Sequence, residues 1–163
     1  HVIYLYRDGR DVALSYYDFQ KKLQGSQDDF PAFLRRLLKG QLPYGAWQDH
    51  VASWLFSDQA VDLLPVCYET LYQDPQAEIE RVGHFMGFTR SAEEFQAAIE
   101  KSSFDQFQQD YARYKQRNHW RKGFTGGVKG ALGKWREVFD AELNDLFWHY
   151  AGEVAGRLGY SRV

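Results

Sequence analysis

An arginine and a serine near the start of the chain are spaced so that both could bind one anion. Arg7 directly follows the apolar stretch VIYLY, and Ser15 comes eight residues later in a segment with helical apolar spacing. Ligands of open α/β sheets bind beyond the carboxyl ends of strands, and a guanidinium can bond phosphate through two parallel donors. Arg7 and Ser15 together therefore predict a phosphate-binding site. In the alternative, Arg7 and Arg10 form ion pairs with Asp8 and Asp11, and Ser15 has no such role.

A second candidate lies in the glycine-rich segment WRKGFTGGVKGALGKW. Arg121 and Lys122 supply positive charge, and Gly123 begins a series of glycines that let backbone N–H groups approach an anion closely. A Walker-type loop is excluded, because Trp135 stands where Ser or Thr is needed and no strand precedes the segment. The segment either binds an anion or is a surface loop.

Two aromatic residues could stack on a nucleobase, a contact that contributes about 1–3 kcal/mol. They are Tyr68, at the end of the predicted strand VDLLPVCYE, and Phe104 in KSSFDQF. A core position is the alternative for both. The five histidines lack metal-ligand spacing with one another and with the cysteine, so no metal site is expected.

The composition limits the kinds of partner. The chain has 163 residues, enough for one domain, with 44% hydrophobic and 17% aromatic residues and a net charge of −2. Because there is no overall basic field, no nucleic-acid partner is expected and any anion site must be local. The single cysteine, Cys67, is expected in the core and indicates a reducing compartment, the cytoplasm. No apolar run has the roughly 18 residues of a membrane span.

The strands and helices predicted around these residues indicate an α/β fold. Strands are predicted at 2–6, buried on both faces, and at 61–69. Helices are predicted after Asp8 or Gly9, in DDFPAFLRRLLKG, WQDHVASWLF, DPQAEIERVGHF and SAEEFQAAIEKS, and in the closing segment FDAELNDLFWHYAGEVAGRLGY. Residues 102–135 show no regular pattern. Two strands are few for a sheet of this class, so an N-terminal part is expected to be missing.

Four segments, in order along the chain, resemble the sulfotransferases that use 3′-phosphoadenosine 5′-phosphosulfate (PAPS). VIYLYRDGRDVALSYYDF is similar to the family's segment for the nucleotide 3′-phosphate, and RKGFTGG is similar to its Arg-Lys-Gly motif. The resemblance implies that the following residues bind the 3′-phosphate: Arg7, Ser15, Arg121, Lys122 and Gly123.

The other two segments concern the adenine. LLPVCYETLYQDP is similar to a strand that ends in a Tyr-Glu-Asp-Leu-like motif, and EKSSFDQF to a Thr/Ser-Ser-Phe block. The resemblance implies that Tyr68, Ser102 and Phe104 lie on the adenine side. Two positions depart from the family: Thr70 replaces an Asp, and Val128 occupies the site of a Trp that normally follows the Arg-Lys-Gly motif. An insertion in that loop is expected.

The resemblance also implies a fold and a cofactor. We expect a partial P-loop-NTPase-like parallel sheet flanked by helices, mostly helical, with residues 1–163 as the C-terminal portion of one sulfotransferase domain. The cofactor would be PAPS, with 3′,5′-adenosine bisphosphate (PAP) as product and no metal. The family's phosphosulfate loop and catalytic histidine lie upstream of the strand that opens this chain. No catalytic residue is therefore assigned, and the chain by itself is expected to be inactive.

The acceptor would be a small molecule with a hydroxyl or amine group. The segment 20–54 is rich in Phe, Leu, Tyr and Trp, which indicates an apolar or aromatic alcohol unless these residues form the core. As an alternative, the chain is a non-catalytic remnant that binds nucleotide or self-associates through an exposed sheet edge into a homo-oligomer. A phosphotransferase of the same phosphate-loop superfamily is less favoured, because phosphotransferases lack the segments that contain Tyr68 and the Arg-Lys-Gly motif.

Overall fold

The computed structural model describes residues 1–24, 28–58, 60–117 and 131–163. In this part of the chain, two strands form a parallel sheet: β1 is Val2–Tyr6 and β2 is Leu63–Cys67. The helices are α1 (Gly9–Gln24), α2 (Phe30–Leu38), α3 (Trp47–Leu55), α4 (Tyr68–Gln73), α5 (Pro75–Phe85), α6 (Ala92–Lys101), α7 (Phe104–Arg117) and α8 (Ala141–Arg157), with a 3-10 helix at Lys134–Glu137. The predicted α/β class is confirmed.

The chain divides into two compact units. The first contains His1–Ile3 and Asp62–Ala131, and the second contains Tyr4–Val61 and Leu132–Val163. The strand β1 therefore begins in one unit and ends in the other. Each unit is described by itself below.

The second unit has an apolar core between α1, α2, α3 and α8. Phe33, Leu34, Val51 and Phe147 are at most 2% exposed there. The helix α2 begins where Asp29 accepts a hydrogen bond from the backbone N–H of Ala32, at 2.9 Å, as expected of an N-cap aspartate. Its apolar residues recur at helical spacing, which directs five of its nine side chains inward.

A glycine allows α1 to begin close to this core. A Cβ atom at Gly9 would lie 2.6 Å from the indole ring of Trp47. A larger residue would displace either the ring or the start of α1, so the helix that carries Ser15 depends on glycine at this point.

The core also decides between the two interpretations of the segment 20–54. Phe30, Phe33, Leu34, Leu37 and Trp47 are all buried in it. Side chains enclosed in this way are not available to an acceptor, so these residues form the core rather than an acceptor pocket.

The first unit is organised by local capping. Asp74 accepts a hydrogen bond from the backbone of Ala77 and is followed by a proline at the first position of α5. Ser91 and Glu94 form a capping box at the start of α6. Phe95 of α6 packs against Gly83 of α5, where an added Cβ atom would lie 2.4 Å from the Phe95 ring.

Several sequence-based expectations are wrong. In β1, Ile3 is 41% and Leu5 is 53% exposed, so the strand is not buried on both faces. Tyr68 begins α4 instead of closing β2. Cys67 is half-buried rather than in the core, and its thiol donates a 3.1 Å hydrogen bond to Glu69. Expected burial failed because isolated apolar runs do not reveal which neighbouring elements cover them.

The segment predicted to lack a pattern contains the helix α7. Phe104, Phe107 and Tyr111 have helical spacing, and the rings of Phe107 and Tyr111 stack at 6.1 Å between centroids. The surrounding glutamines and charges obscured this periodicity, because the apolar stripe is narrow.

Candidate phosphate-binding site

The site begins at the junction of β1 and α1. Arg7 follows the last residue of β1 and lies two residues before the start of α1. Its Nη2 atom donates to Oδ2 of Asp11 at 2.9 Å, in an ion pair whose side chains are 18% and 2% exposed. The Arg7 side chain is thus held by a buried carboxylate while a minor part of it remains exposed. A planar guanidinium of this kind suits phosphate recognition.

The same carboxylate also binds backbone far away in the sequence. Asp11 Oδ2 accepts from the N–H of Gly133 at 2.8 Å, and Oδ1 accepts from the N–H of Trp135 at 3.0 Å. Gly133 has φ = 69°, a left-handed conformation that glycine adopts without strain. Asp11 therefore joins the start of α1 to the segment that enters the 3-10 helix.

Arg10, three residues after Arg7, has a different environment. It is 2% exposed and binds Asp8 through Nε and Nη2, at 3.0 and 2.8 Å. Its guanidinium lies 3.4 Å from the ring centroid of Trp135 and also donates to the carbonyl of Ser161 at 2.9 Å. Arg10 is a buried structural residue with cation–π and ionic contacts.

As the alternative interpretation predicted, the arginines of the charged turn form ion pairs with its aspartates. Arg7 pairs with Asp11, and Arg10 pairs with Asp8.

Ser15 is exposed on α1. It follows Asp11 by four residues, so the two lie on the same side of the helix. The sequence did not predict that Asp11 contacts both Arg7 and a distant backbone segment, although its spacing of four from both Arg7 and Ser15 could have indicated a shared helix face.

The residues expected near the adenine lie in the first unit. Tyr68 is half-buried as the first residue of α4, with its ring 6.4 Å from that of Tyr72. Ser102 is the exposed C-cap of α6, and its hydroxyl donates to the carbonyl of Ile99 at 3.2 Å. Phe104 begins α7 and is half-buried. Ser102 and Phe104 thus both lie at the junction of α6 and α7.

Three predicted residues, Arg121, Lys122 and Gly123, lie outside the described residues, as does Val128. The segment that follows them is described from Ala131 onward. There Gly133 and Trp135 form a Gly-x-Trp sequence that contacts Asp11.

Two further properties concern only the described part of the chain. No group of three or more histidine, cysteine or acidic residues there could hold a metal ion. None of the described helices combines the length and the apolar character needed to cross a bilayer.

Comparison with known proteins defines the class. The chain belongs to the sulfotransferase family, since the model of the sulfotransferase domain matches residues 1–159. Among similar proteins, sulfotransferase 1A1 of Bos taurus is 30% identical over 95% of this chain. Sulfotransferase 1E1 of Cavia porcellus is 31% identical over 95% of the chain. The chain spans about half the length of these curated relatives, 55% in both cases.

Solved structures show the same fold. Mouse sulfotransferase SULT7A1 complexed with PAP superposes with a TM-score of 0.78 and 26% identity, over 96% of this chain and 60% of that chain. Retinol dehydratase in complex with androsterone and inactive cofactor PAP gives a TM-score of 0.78 and 26% identity, over 94% of this chain and 46% of its own. These relatives place the chain among proteins whose structures hold PAP.

Proposed function

We propose that the protein acts as a sulfotransferase that moves a sulfuryl group from PAPS to a hydroxyl or amine of a small molecule. The observation that carries this proposal is the Arg7 guanidinium, held by buried Asp11 at the start of α1, in a chain of the sulfotransferase family. Residues 1–163 would be the C-terminal portion of one sulfotransferase domain in the cytoplasm. The single cysteine supports a reducing compartment.

The described residues fit a phosphorylated nucleotide. Arg7 is fixed and partly exposed, and exposed Ser15 lies on the same side of α1 as Asp11. In this proposal both bind the 3′-phosphate, together with Arg121, Lys122 and Gly123. When bound, PAPS supplies the sulfuryl group, and these residues contribute binding and orientation.

A second set of residues would bind the adenine in this proposal. It consists of Tyr68, Ser102 and Phe104. The half-buried rings of Tyr68 and Phe104 retain exposed surface on which a base could stack. The Ser102 hydroxyl can accept a hydrogen bond while it donates to Ile99.

We further propose an apolar alcohol as the acceptor. Support comes from the solved relatives, because retinol dehydratase forms complexes with androsterone and with retinol. The apolar residues of the segment 20–54 give no such support, since Phe33, Leu34 and others are buried in the core.

Substitution of Arg7 tests the nucleotide site. Arg7→Ala should weaken PAP binding about tenfold or more, because a hydrogen bond to a charged group contributes about 1.5–3 kcal/mol. Isothermal titration calorimetry of the 163-residue chain measures this. Arg36→Ala is the matched control, since Arg36 forms an exposed ion pair with Asp28. Equal affinities of the Arg7 and Arg36 variants, or no PAP binding by the unsubstituted chain, would refute the assignment.

The second candidate is a non-catalytic module that binds nucleotide or self-associates. Exposure of Ile3 and Leu5 on β1 favours it, since an exposed apolar face can mediate association with another chain. Incubation of the chain with PAPS and an apolar alcohol tests the module. A sulfated product would refute it, whereas absence of product is expected under both proposals, because the chain by itself is expected to be inactive.

A further inference from the structure

We propose that Asp11 is a positioning residue for recognition of the nucleotide 3′-phosphate. It would fix the Arg7 guanidinium and anchor the backbone at Gly133 and Trp135 through a single carboxylate. The inference rests on the proposed function, which assigns Arg7 to the 3′-phosphate.

Asp11 has the contacts that positioning requires. The residue is 3% exposed and receives hydrogen bonds from three donors in different parts of the second unit. Oδ2 accepts from Arg7 Nη2 at 2.9 Å and from the Gly133 N–H at 2.8 Å, and Oδ1 accepts from the Trp135 N–H at 3.0 Å. Because both oxygens are bound, the carboxylate has one orientation, and it sets the position of the guanidinium.

Orientation matters because arginine is long and has many rotamers. A side chain that is free before binding loses this freedom when it grips a ligand. Arg7 is held by a buried ion pair beforehand, so less freedom remains to be lost on phosphate binding. Asp11 thereby favours binding through Arg7, without contacting the phosphate itself.

The charge of Asp11 acts in the opposite direction. A carboxylate near a phosphate repels it, so charge alone predicts that neutralisation of Asp11 tightens binding. Loss of positioning predicts that the same change weakens binding. The sign of the effect therefore separates the two roles.

Asp11→Asn is the test, with two nucleotides that differ only in the 3′-phosphate. Calorimetry gives the affinities of PAP and of adenosine 5′-monophosphate for the 163-residue chain. Asp11→Asn should lower the ratio of the PAP affinity to the monophosphate affinity about tenfold. The reason is that the substitution weakens the charged hydrogen bonds that orient Arg7. The affinity for the monophosphate should stay the same, which general damage to the fold would not allow.

Asp8→Asn is the matched control. Asp8 lies in the same turn, is 6% exposed and pairs with Arg10 instead of Arg7. We expect it to lower stability and leave the affinity ratio unchanged. If Asp11→Asn does not fold, Asp11→Glu replaces it, since that variant keeps the charge but moves the carboxylate by one methylene. Under the proposal it also lowers the ratio.

The outcomes distinguish the inference from the function on which it rests. If Arg7→Ala lowers the affinity ratio but Asp11→Asn raises it or leaves it unchanged, the positioning role is wrong and the proposed function stands. If Arg7→Ala leaves the ratio unchanged, Arg7 does not bind the 3′-phosphate, and the part of the proposed function that assigns it there is wrong. A decrease in both variants, with Asp8→Asn unaffected, supports both.

Discussion

Two arginines of the same turn differ in environment. The side chain of Arg7 is 18% exposed and that of Arg10 is 2% exposed. Arg10 is enclosed by Trp135, Asp8 and the carbonyl of Ser161, so it has no access to a ligand. At the residue scale, burial makes Arg10 a structural residue and leaves Arg7 accessible for the binding role proposed above.

Replacement of Arg10 should therefore affect stability. Arg10→Met leaves the carboxylate of Asp8 buried without its ionic partner, a loss of about 3–5 kcal/mol. Urea unfolding followed by circular dichroism measures the free energy of unfolding. Arg36→Ala, which removes an exposed pair with Asp28, should change it by less than about 1 kcal/mol. Equal effects of the two substitutions would contradict the structural role of Arg10.

At the element scale, side chains close in sequence determine where several helices begin. Asp29, Asp74 and the Ser91–Glu94 pair cap the helices that the sequence indicates. Capping depends on hydrogen bonds within about three residues, so a short window of sequence contains the information. The helix α7 was missed because its apolar residues are sparse.

At the same scale, substitution of two helical glycines by alanine should change stability in opposite directions. Gly83→Ala should destabilise the protein by about 1–3 kcal/mol, because the new methyl group would overlap the Phe95 ring, which lies 2.4 Å away. Gly156→Ala should stabilise it by about 0.5–1 kcal/mol, because nothing lies within 4 Å and alanine favours the helix. Thermal unfolding of the two variants measures both changes. The same sign for both would show that packing against Phe95 is not decisive.

At the scale of the whole molecule, β1 has an exposed apolar face. Ile3 and Leu5 point to the same side of the strand, 41% and 53% exposed. Scattered exposed residues are ordinary, but here they accompany a sheet with two strands in the described part of the chain. The second candidate function predicts that this face mediates self-association.

Sedimentation equilibrium tests this prediction. The chain should show concentration-dependent association, and Leu5→Lys should weaken it at least about tenfold, since a buried lysine charge is costly at an apolar interface. Val163→Lys is the control, because Val163 is 96% exposed at the C-terminus. A monomer at all concentrations, or equal association of the two variants, would contradict self-association through β1.

Local sequence was sufficient to predict β1, most of the helices and the family. The strand Val2–Tyr6 and the caps of α2, α5 and α6 depend on neighbours in the chain, and the motifs that resemble sulfotransferases are short.

The contacts of the charged turn with distant residues depend on the tertiary structure. Asp11 binds Gly133, 122 residues away, and Arg10 binds Ser161, 151 residues away. Such contacts have no periodicity or fixed spacing, because they exist only once the core of the second unit brings α1 and the C-terminal segment together. For this reason the charged turn could be recognised from the sequence, but the different environments of Arg7 and Arg10, and the role proposed for Asp11, required the tertiary structure.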